Sequence, residues 1–265
     1  MLTAWCVRVI RSLGFIVLSL LSTPAFAAPL RVAAAADLAV AFKELGAAFE
    51  REQGDKVVFT FGSTGLLEKQ LAEGAPFDVF AAANVSFVDD AVHAGVCLAD
   101  SKTSYARGRI VLWWPKSSTV KPPKTLAELA DARFVKIAIA NPAHAPYGKA
   151  AAEALNKAGI WNQIKSRVVF GENVQQTLQF AQSGNAEVAV VAMSLATMAP
   201  DGEWLPISEL EHAPIDQALV VCGEDRERVA RARAFTAYVA SPAGRAIMRH
   251  YGFLLPGETR TASAK

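Results

Sequence analysis

Residues that commonly build metal centres and nucleophilic active sites are scarce in this sequence. Its 265 residues include 3 cysteines and 4 histidines, and the histidines, at positions 93, 144, 212 and 250, are too scattered for metal-ligand spacing. Phe61-Gly-Ser-Thr-Gly65 does not match the G-x-S-x-G sequence of hydrolases, and no His/Asp pair is recognisable with it. These absences disfavour an enzyme, for example a phosphoester hydrolase, and no cofactor is predicted.

Charged and apolar runs are equally sparse. The formal net charge is +2 and no Lys/Arg run occurs, so nucleic acid is not predicted as a partner. One apolar stretch, residues 13–21, follows Arg8 and Arg11 and precedes an A-x-A cleavage signal at residues 25–27. The stretch is too short for a comfortable membrane span. The first residue after the cleavage site is Ala28, not a cysteine that could carry a lipid. We therefore predict a cleaved signal peptide over residues 1–27 and an exported, soluble protein.

Two cysteines, Cys97 and Cys222, remain in the mature chain. In an oxidising compartment they could form a disulfide. Alternatively, they are two separate buried thiols, since free cysteine often behaves as a small core residue. Because Cys222 ends the apolar run 218–221, the sequence favours separate thiols.

Strand and helix patterns alternate along the mature chain. This alternation predicts an α/β fold with mixed, mainly parallel sheets and helices on both faces. Residues 97–108 and 200–215 are predicted to lack regular secondary structure, and Ser194 is predicted to cap a short helix. Strands are predicted at residues 30–35, 57–61, 78–82, 109–114, 135–140, 167–170, 186–192 and 217–222.

Four strand-to-helix turns are suited to an anion, because backbone N–H groups and helix dipoles converge there. They follow Ala35, Phe61, Ala140 and Phe170. Taken alone, the turn after Phe61 is more simply a serine-capped helix start. Its repetition, two turns on each side of the irregular segment near residues 100–108, favours two lobes that face each other across an anion-binding cleft.

Six segments resemble, in the same order, the periplasmic molybdate-binding proteins of ABC importers, a type II periplasmic binding protein family. The resemblance implies that lobe I comprises residues 28–107 and 216–265, and that lobe II comprises residues 108–215. It also implies a periplasmic monomer that captures molybdate or tungstate and delivers it to the importer's membrane subunits. The segments are Val32-Ala-Ala-Ala-Ala-Asp-Leu38, Phe61-Gly-Ser-Thr-Gly65, Gly74-Ala-Pro-Phe-Asp-Val-Phe80, Asn141-Pro-Ala-His-Ala-Pro-Tyr-Gly148, Glu172-Asn-Val174 and Arg249-His-Tyr-Gly-Phe253.

The resemblance assigns five residues of this chain to the oxyanion. Ser63 would supply its hydroxyl and N–H, Val174 its N–H, and Tyr147 its hydroxyl. Ala36 and Asp37 would present the helix start after the first strand. Ser63 and Val174 would contact oxygens of a molybdenum-containing anion without coordinating the metal itself.

Asp37 departs from the family pattern, in which serine or asparagine is common at this place. A carboxylate ~4 Å from a unit negative charge costs about 4 kcal/mol at an effective dielectric constant of about 20. Either the carboxylate caps its own helix, or it accepts a proton from an oxyanion such as hydrogen phosphate. Capping is favoured because aspartate is among the best N-caps; the other interpretation leaves a phosphate-binding protein as the alternative function. Ala192 stands where some members have a ligand-binding tyrosine, and His144 is interpreted as a structural hydrogen-bonding residue.

Overall fold

A computed structural model describes residues 28–258, so the predicted signal peptide lies outside the described residues. Of the helices in this range, none is long and apolar enough to cross a membrane. The strands are β1 Leu30–Ala35, β2 Val57–Gly62, β3 Val79–Ala82, β4 Thr103–Gly108, β5 Ile110–Pro115, β6 Ile137–Ala140, β7 Val168–Gly171, β8 Val188–Ala192, β9 Gly202–Pro206 and β10 Ile215–Val221. The α-helices are α1 Ala41–Gln53, α2 Thr64–Ala72, α3 Val85–His93, α4 Pro146–Lys157, α5 Trp161–Ile164, α6 Val174–Gln182, α7 Met193–Ala196, α8 Arg226–Ala240 and α9 Pro242–His250.

The strands form two five-stranded mixed sheets. Their orders are β2-β1-β3-β10-β4 and β7-β6-β8-β5-β9. In the first sheet β1 runs parallel to β2 and β3, and in the second β6 runs parallel to β7 and β8. Because Ala35 pairs with Gly62, and Ala140 with Gly171, the turns that follow each pair of strands emerge together at one edge of their sheet.

The chain passes from one sheet to the other at two neighbouring points. It leaves the first sheet after Gly108 and returns to it at Ile215. These two residues are register partners in the antiparallel pair of β4 and β10. The two connections between the sheets therefore lie side by side.

Two strands lie in segments that the sequence analysis interpreted as irregular, and those interpretations were wrong. Both β4 and β9 occupy an edge of their sheet. The other two edge strands, β2 and β7, were predicted because they are rich in valine and phenylalanine, whereas β4 and β9 are more polar and have few β-branched residues. The exposed first residues of β4 and the exposed Glu203 and Trp204 of β9 fit this explanation.

The core beneath the first sheet holds the turn after β1 in place. Phe42 and Phe49 of α1 pack edge-to-face against Phe235 of α8, with ring centroids 6.2 and 5.3 Å apart. All three side chains are fully buried. Each buried aromatic side chain contributes roughly 1.5–3 kcal/mol, so this cluster anchors α1 and the short segment between it and β1.

Cys97 and Cys222 form a disulfide, with an S–S distance of 2.09 Å. The preference for separate buried thiols was therefore wrong. The two residues also pair as an isolated antiparallel β-bridge, which brings Cα atoms separated by 125 positions in sequence to 3.9 Å. The burial predicted for Cys222 is present, but its pairing partner depends on a long-range register that no local pattern reveals.

Candidate functional site

A small cavity lies where the strand-to-helix turns of the two sheets meet. Its empty volume is about 200 Å³, including the mouth. All five residues assigned to the oxyanion line it, namely Ala36, Asp37, Ser63, Tyr147 and Val174. The remaining lining residues are Ala35, Gly62, Thr64, Ala83, Ala145, Pro146 and Asn173, and none of the lining residues is a lysine or arginine.

Three helices begin at the cavity and direct their positive dipole ends toward it. They are α2, α4 and α6, whose N-cap positions are occupied by Ser63, Ala145 and Asn173. The Asn173 side chain accepts the N–H groups of Gln175 and Gln176, each at 3.0 Å. This cap leaves the N–H of Val174, the first residue of α6, for another acceptor.

Ser63 is buried and links the two sides of the cavity. Its hydroxyl donates to the carbonyl oxygen of His144 at 2.6 Å, and its oxygen lies 2.8 Å from His144 Nδ1. The N–H of Gly65 also donates to the His144 carbonyl, at 3.0 Å. His144 therefore makes the structural hydrogen bonds predicted for it. Ser63 occupies the N-cap position of α2 without a side-chain capping bond.

The carboxylate of Asp37 is almost completely buried, with 1% of the residue exposed. Oδ2 accepts hydrogen bonds from the Tyr147 hydroxyl at 2.9 Å and from Gln217 Nε2 at 2.7 Å. Oδ1 is buried and has no hydrogen-bond partner among the described residues. Burial raises the pKa of Asp37 from 3.8 to about 6, although the bonds from Gln217 and Tyr147 oppose the rise.

The capping interpretation of Asp37 was wrong. Asp37 lies inside a three-residue 3-10 helix, Ala36–Leu38, whose N-cap is Ala35 and which has no side-chain capping bond. Asp37 lies two positions after this N-cap, so it does not occupy the position from which a side chain accepts the first free N–H groups. Its side chain is held instead by donors from β10 and α4.

A directed chain of hydrogen bonds fixes these donors. The Tyr105 hydroxyl donates to Gln217 Oε1 at 2.8 Å, which orients Gln217 Nε2 toward Asp37 and the Tyr147 oxygen at 3.1 Å. Burial raises the pKa values of Tyr105 and Tyr147 well above 10, so both hydroxyls stay neutral. The resemblance assigned the Tyr147 hydroxyl to the ligand, but in this structure the hydroxyl donates its hydrogen bond to Asp37.

Three residues of this environment were missed by the sequence analysis: Tyr105, Ser194 and Gln217. Ser194 was predicted to cap α7, but it lies inside that helix and its hydroxyl donates to the Asp37 carbonyl at 2.8 Å. Gln217 is fully buried in β10, where the other buried residues are apolar and Asp216 is exposed. A buried glutamine needs partners, so its place in an apolar strand was the one available signal of a polar site.

Asp37→Asn is expected to stabilise the ligand-free protein at neutral pH. Since the folded-state pKa lies above the ordinary value, the stability from Asp37 is complete at low pH and is lost as pH rises through about 6. The rise from 3.8 to about 6 corresponds to about 3 kcal/mol. Urea unfolding should therefore show Asp37→Asn about 3 kcal/mol more stable near pH 7.5 and equal to wild type near pH 4.

The exposed pair of Lys69 and Glu73 supplies the control for that measurement. Its nitrogen and oxygen are 3.8 Å apart at the surface. Glu73→Gln should therefore change the free energy of unfolding by less than about 0.5 kcal/mol at either pH. A gain for Asp37→Asn that is the same at both pH values would show that buried charge is not its cause.

Comparison with known proteins identifies the family of this architecture. Residues 30–254 match the family model described as bacterial extracellular solute-binding protein. The chain is 35% identical to the Molybdate-binding protein ModA of Azotobacter vinelandii over 240 residues, which cover 88% of this chain and 93% of the relative. It is 34% identical to the protein of the same name from Rhodobacter capsulatus, covering 88% and 91% of the two chains.

A solved structure of the Azotobacter vinelandii periplasmic molybdate-binding protein has the same architecture. The TM-score is 0.79 at 30% sequence identity, covering 86% of this chain and 99% of that one. The predicted α/β fold and the resemblance drawn from the six segments are confirmed.

Proposed function

Because the chain belongs to the bacterial extracellular solute-binding proteins, we propose that it captures molybdate in the periplasm and delivers it to the membrane subunits of an ABC importer. The observation that carries the proposal is the cavity. It joins three helix starts and contains no cationic side chain, so an oxyanion would be held by neutral donors. Tungstate, a tetrahedral dianion like molybdate, belongs to the same proposal.

Lobe I, residues 28–107 and 216–265, and lobe II, residues 108–215, are proposed to move as two bodies. The two sheets and the adjacent connections at Gly108 and Ile215 support this division. In an open form, Ala36, Asp37 and Ser63 would present half of the site, and Tyr147 and Val174 the other half. Closure would form the bonds between Ser63 and His144 and between Asp37 and Tyr147.

Capture then depends on closure around a desolvated anion. The donors are fixed by helix starts and by the Tyr105–Gln217 bond, so they do not need to reorganise when the ligand arrives. The membrane subunits would recognise the closed form, which the ligand stabilises by contacting both lobes at once. Selection among tetrahedral dianions is geometric, since fixed donors fit one anion radius best.

Phosphate is the alternative ligand, and the unpartnered Oδ1 of Asp37 is the observation in its favour. Hydrolysis has less support. Although Ser63 lies 2.8 Å from His144 Nδ1, its hydroxyl donates to the His144 carbonyl, and among the described residues no carboxylate is hydrogen-bonded to that ring. We therefore propose a binding protein without catalytic activity.

Titration calorimetry of the ligand-free protein with molybdate, tungstate, sulfate and phosphate tests this proposal. We expect tight binding of one molybdate or tungstate per chain and much weaker binding of sulfate. Light scattering should give the mass of a monomer before and after loading. Tight phosphate binding without any molybdate heat would overturn the proposal.

Ser63→Ala should weaken molybdate binding by roughly 10- to 100-fold. In the loaded protein the Ser63 hydroxyl would turn from the His144 carbonyl to an oxyanion oxygen at the cavity wall, and a hydrogen bond to a charged group contributes about 1.5–3 kcal/mol. Ser86→Ala is the matched control, because Ser86 is exposed on α3 and does not line the cavity. If both variants bound molybdate with equal affinity, Ser63 would not be a ligand-binding residue.

A further inference from the structure

The two oxygens of the Asp37 carboxyl group have different surroundings. Oδ2 already accepts two hydrogen bonds, from Tyr147 and from Gln217. Oδ1 is buried without a partner, on a residue that lines the cavity. Buried polar atoms are almost always satisfied, so an unpaired oxygen at a ligand cavity points to a missing partner.

An ionised Asp37 would be a poor neighbour for a tetrahedral dianion. Its charge would repel the ligand in a desolvated site, and no lysine or arginine lines the cavity beside it. A neutral carboxylic acid removes the repulsion and offers an O–H donor. Since Oδ2 is occupied as an acceptor, Oδ1 is the oxygen on which that proton fits.

We propose that the loaded protein holds Asp37 as a neutral acid, whose Oδ1–H donates to an oxyanion oxygen, so that each dianion is captured together with one proton. The inference rests on the proposed function. The proton is taken from the solvent when the ligand is molybdate or tungstate. A hydrogen oxyanion such as hydrogen phosphate would bring the shared proton itself.

The proton is taken up by the Asp37 carboxyl group itself, because the groups that surround it do not change their protonation near neutral pH. Tyr147 on α4 and Tyr105 on β4 are the tyrosines in its network, and both have pKa values well above 10. Gln217 on β10 and Ser194 on α7 do not ionise in this range. Burial raises the pKa of Asp37 to about 6 in this closed arrangement, so protonation near neutral pH is readily reached.

The remaining elements at the cavity contribute one titratable side chain. The lining residues of α2 and α6, among them Thr64, Asn173 and Val174, carry no charge. It is His144, in the loop before α4, which contacts Ser63 across the cavity. Any test must therefore separate His144 from Asp37.

The proposal fixes the sign of the pH dependence. Above the pKa of the free carboxyl group, the unloaded protein is ionised while the loaded protein is protonated, so binding consumes a proton. The affinity for molybdate or tungstate should then fall by about tenfold per pH unit, or roughly 100-fold between about pH 6.5 and 8.5. The affinity for hydrogen phosphate should change little over the alkaline half of that range.

Calorimetry of the full mature chain with tungstate, in buffers of different ionisation enthalpy near pH 7.5, counts the protons directly. We expect uptake close to one proton per ligand. Asp37→Asn should bind with a flat pH profile and no uptake, because its amide N–H replaces the Oδ1–H donor. His144→Asn, which keeps a polar atom toward Ser63, should retain the wild-type slope.

The outcomes separate the inference from the function it rests on. Tight tungstate binding by wild type without proton uptake would overturn the inference alone. So would a slope that persists in Asp37→Asn or disappears in His144→Asn. Failure to bind molybdate or tungstate at any pH would overturn the proposed function, and this inference with it.

Discussion

Gly65→Val is expected to bind molybdate about 1,000-fold more weakly than the wild-type protein while folding normally. Gly65 lies in the first turn of α2, which follows β2 of the first sheet. A Cβ atom at this position would lie 3.0 Å from the His144 carbonyl oxygen and 3.2 Å from its Cα. These are backbone atoms of the loop that follows β6 of the second sheet, so no side-chain rotation relieves the contact, and the two methyl groups of valine extend further. Valine would therefore hold the cleft open.

The size of the effect follows from what closure contributes. With the cleft open, the anion loses the donors of α4 and α6, including the Val174 N–H. Two hydrogen bonds to a charged ligand at about 1.5–3 kcal/mol each, partly replaced by water, make a loss of about 4 kcal/mol reasonable. Folding should not suffer, because glycine is among the poorest helix residues and its Cβ-bearing replacement favours α2.

Ala72→Val is the matched control for the Gly65→Val variant. It adds the same β-branched side chain to the same helix, at an exposed position away from the cavity. Calorimetry should give it wild-type affinity, and small-angle scattering with saturating molybdate should show compaction for Ala72→Val but not for Gly65→Val. Affinity of Gly65→Val within tenfold of wild type would contradict the closed geometry around His144.

Local sequence patterns were sufficient for the buried elements of this fold. β1 at residues 30–35 has the bounds that the apolar pattern predicts, and β8 begins two residues after its predicted start. Both are covered by the core, so the apolar pattern is read directly from the side chains. The edge strands β4 and β9 were missed because they have few of the β-branched residues that reveal β2 and β7, the other two edge strands.

The convergence of the turns was also predictable, whereas the hydrogen bonds between them were not. The turns after β1, β2 and β6 were selected from glycine, serine and strand endings, and the structure brings them to one cavity. The partner of Asp37, however, is Gln217, which lies 180 positions away in sequence. Local propensity favoured a cap, and a long-range donor from β10, which lies two strands from β1 in the sheet, decided the outcome instead.

The disulfide between Cys97 and Cys222, like the bond between Gln217 and Asp37, joins residues that are far apart in sequence. A large loss of stability is expected when it is removed. Replacing both cysteines, as Cys97→Ala/Cys222→Ala, should lower the free energy of unfolding by about 5 kcal/mol. The bond closes a loop of 125 residues, for which the loss of unfolded-chain entropy is close to that value. The loop contains every strand of the second sheet, so the bond joins the two chain segments that flank that sheet in sequence.

Molybdate affinity should survive the same change, because neither cysteine lines the cavity. Urea unfolding of three samples separates the covalent effect from packing: oxidised wild type, wild type reduced and held reduced, and the double variant. The reduced wild type keeps both buried sulfur atoms, so it should lose nearly as much stability as the variant. If reduction changes the free energy of unfolding by less than about 1 kcal/mol, the bond does not act through the unfolded chain. A large loss in both samples, with binding intact, would instead show that the bond stabilises the folded chain without shaping the site.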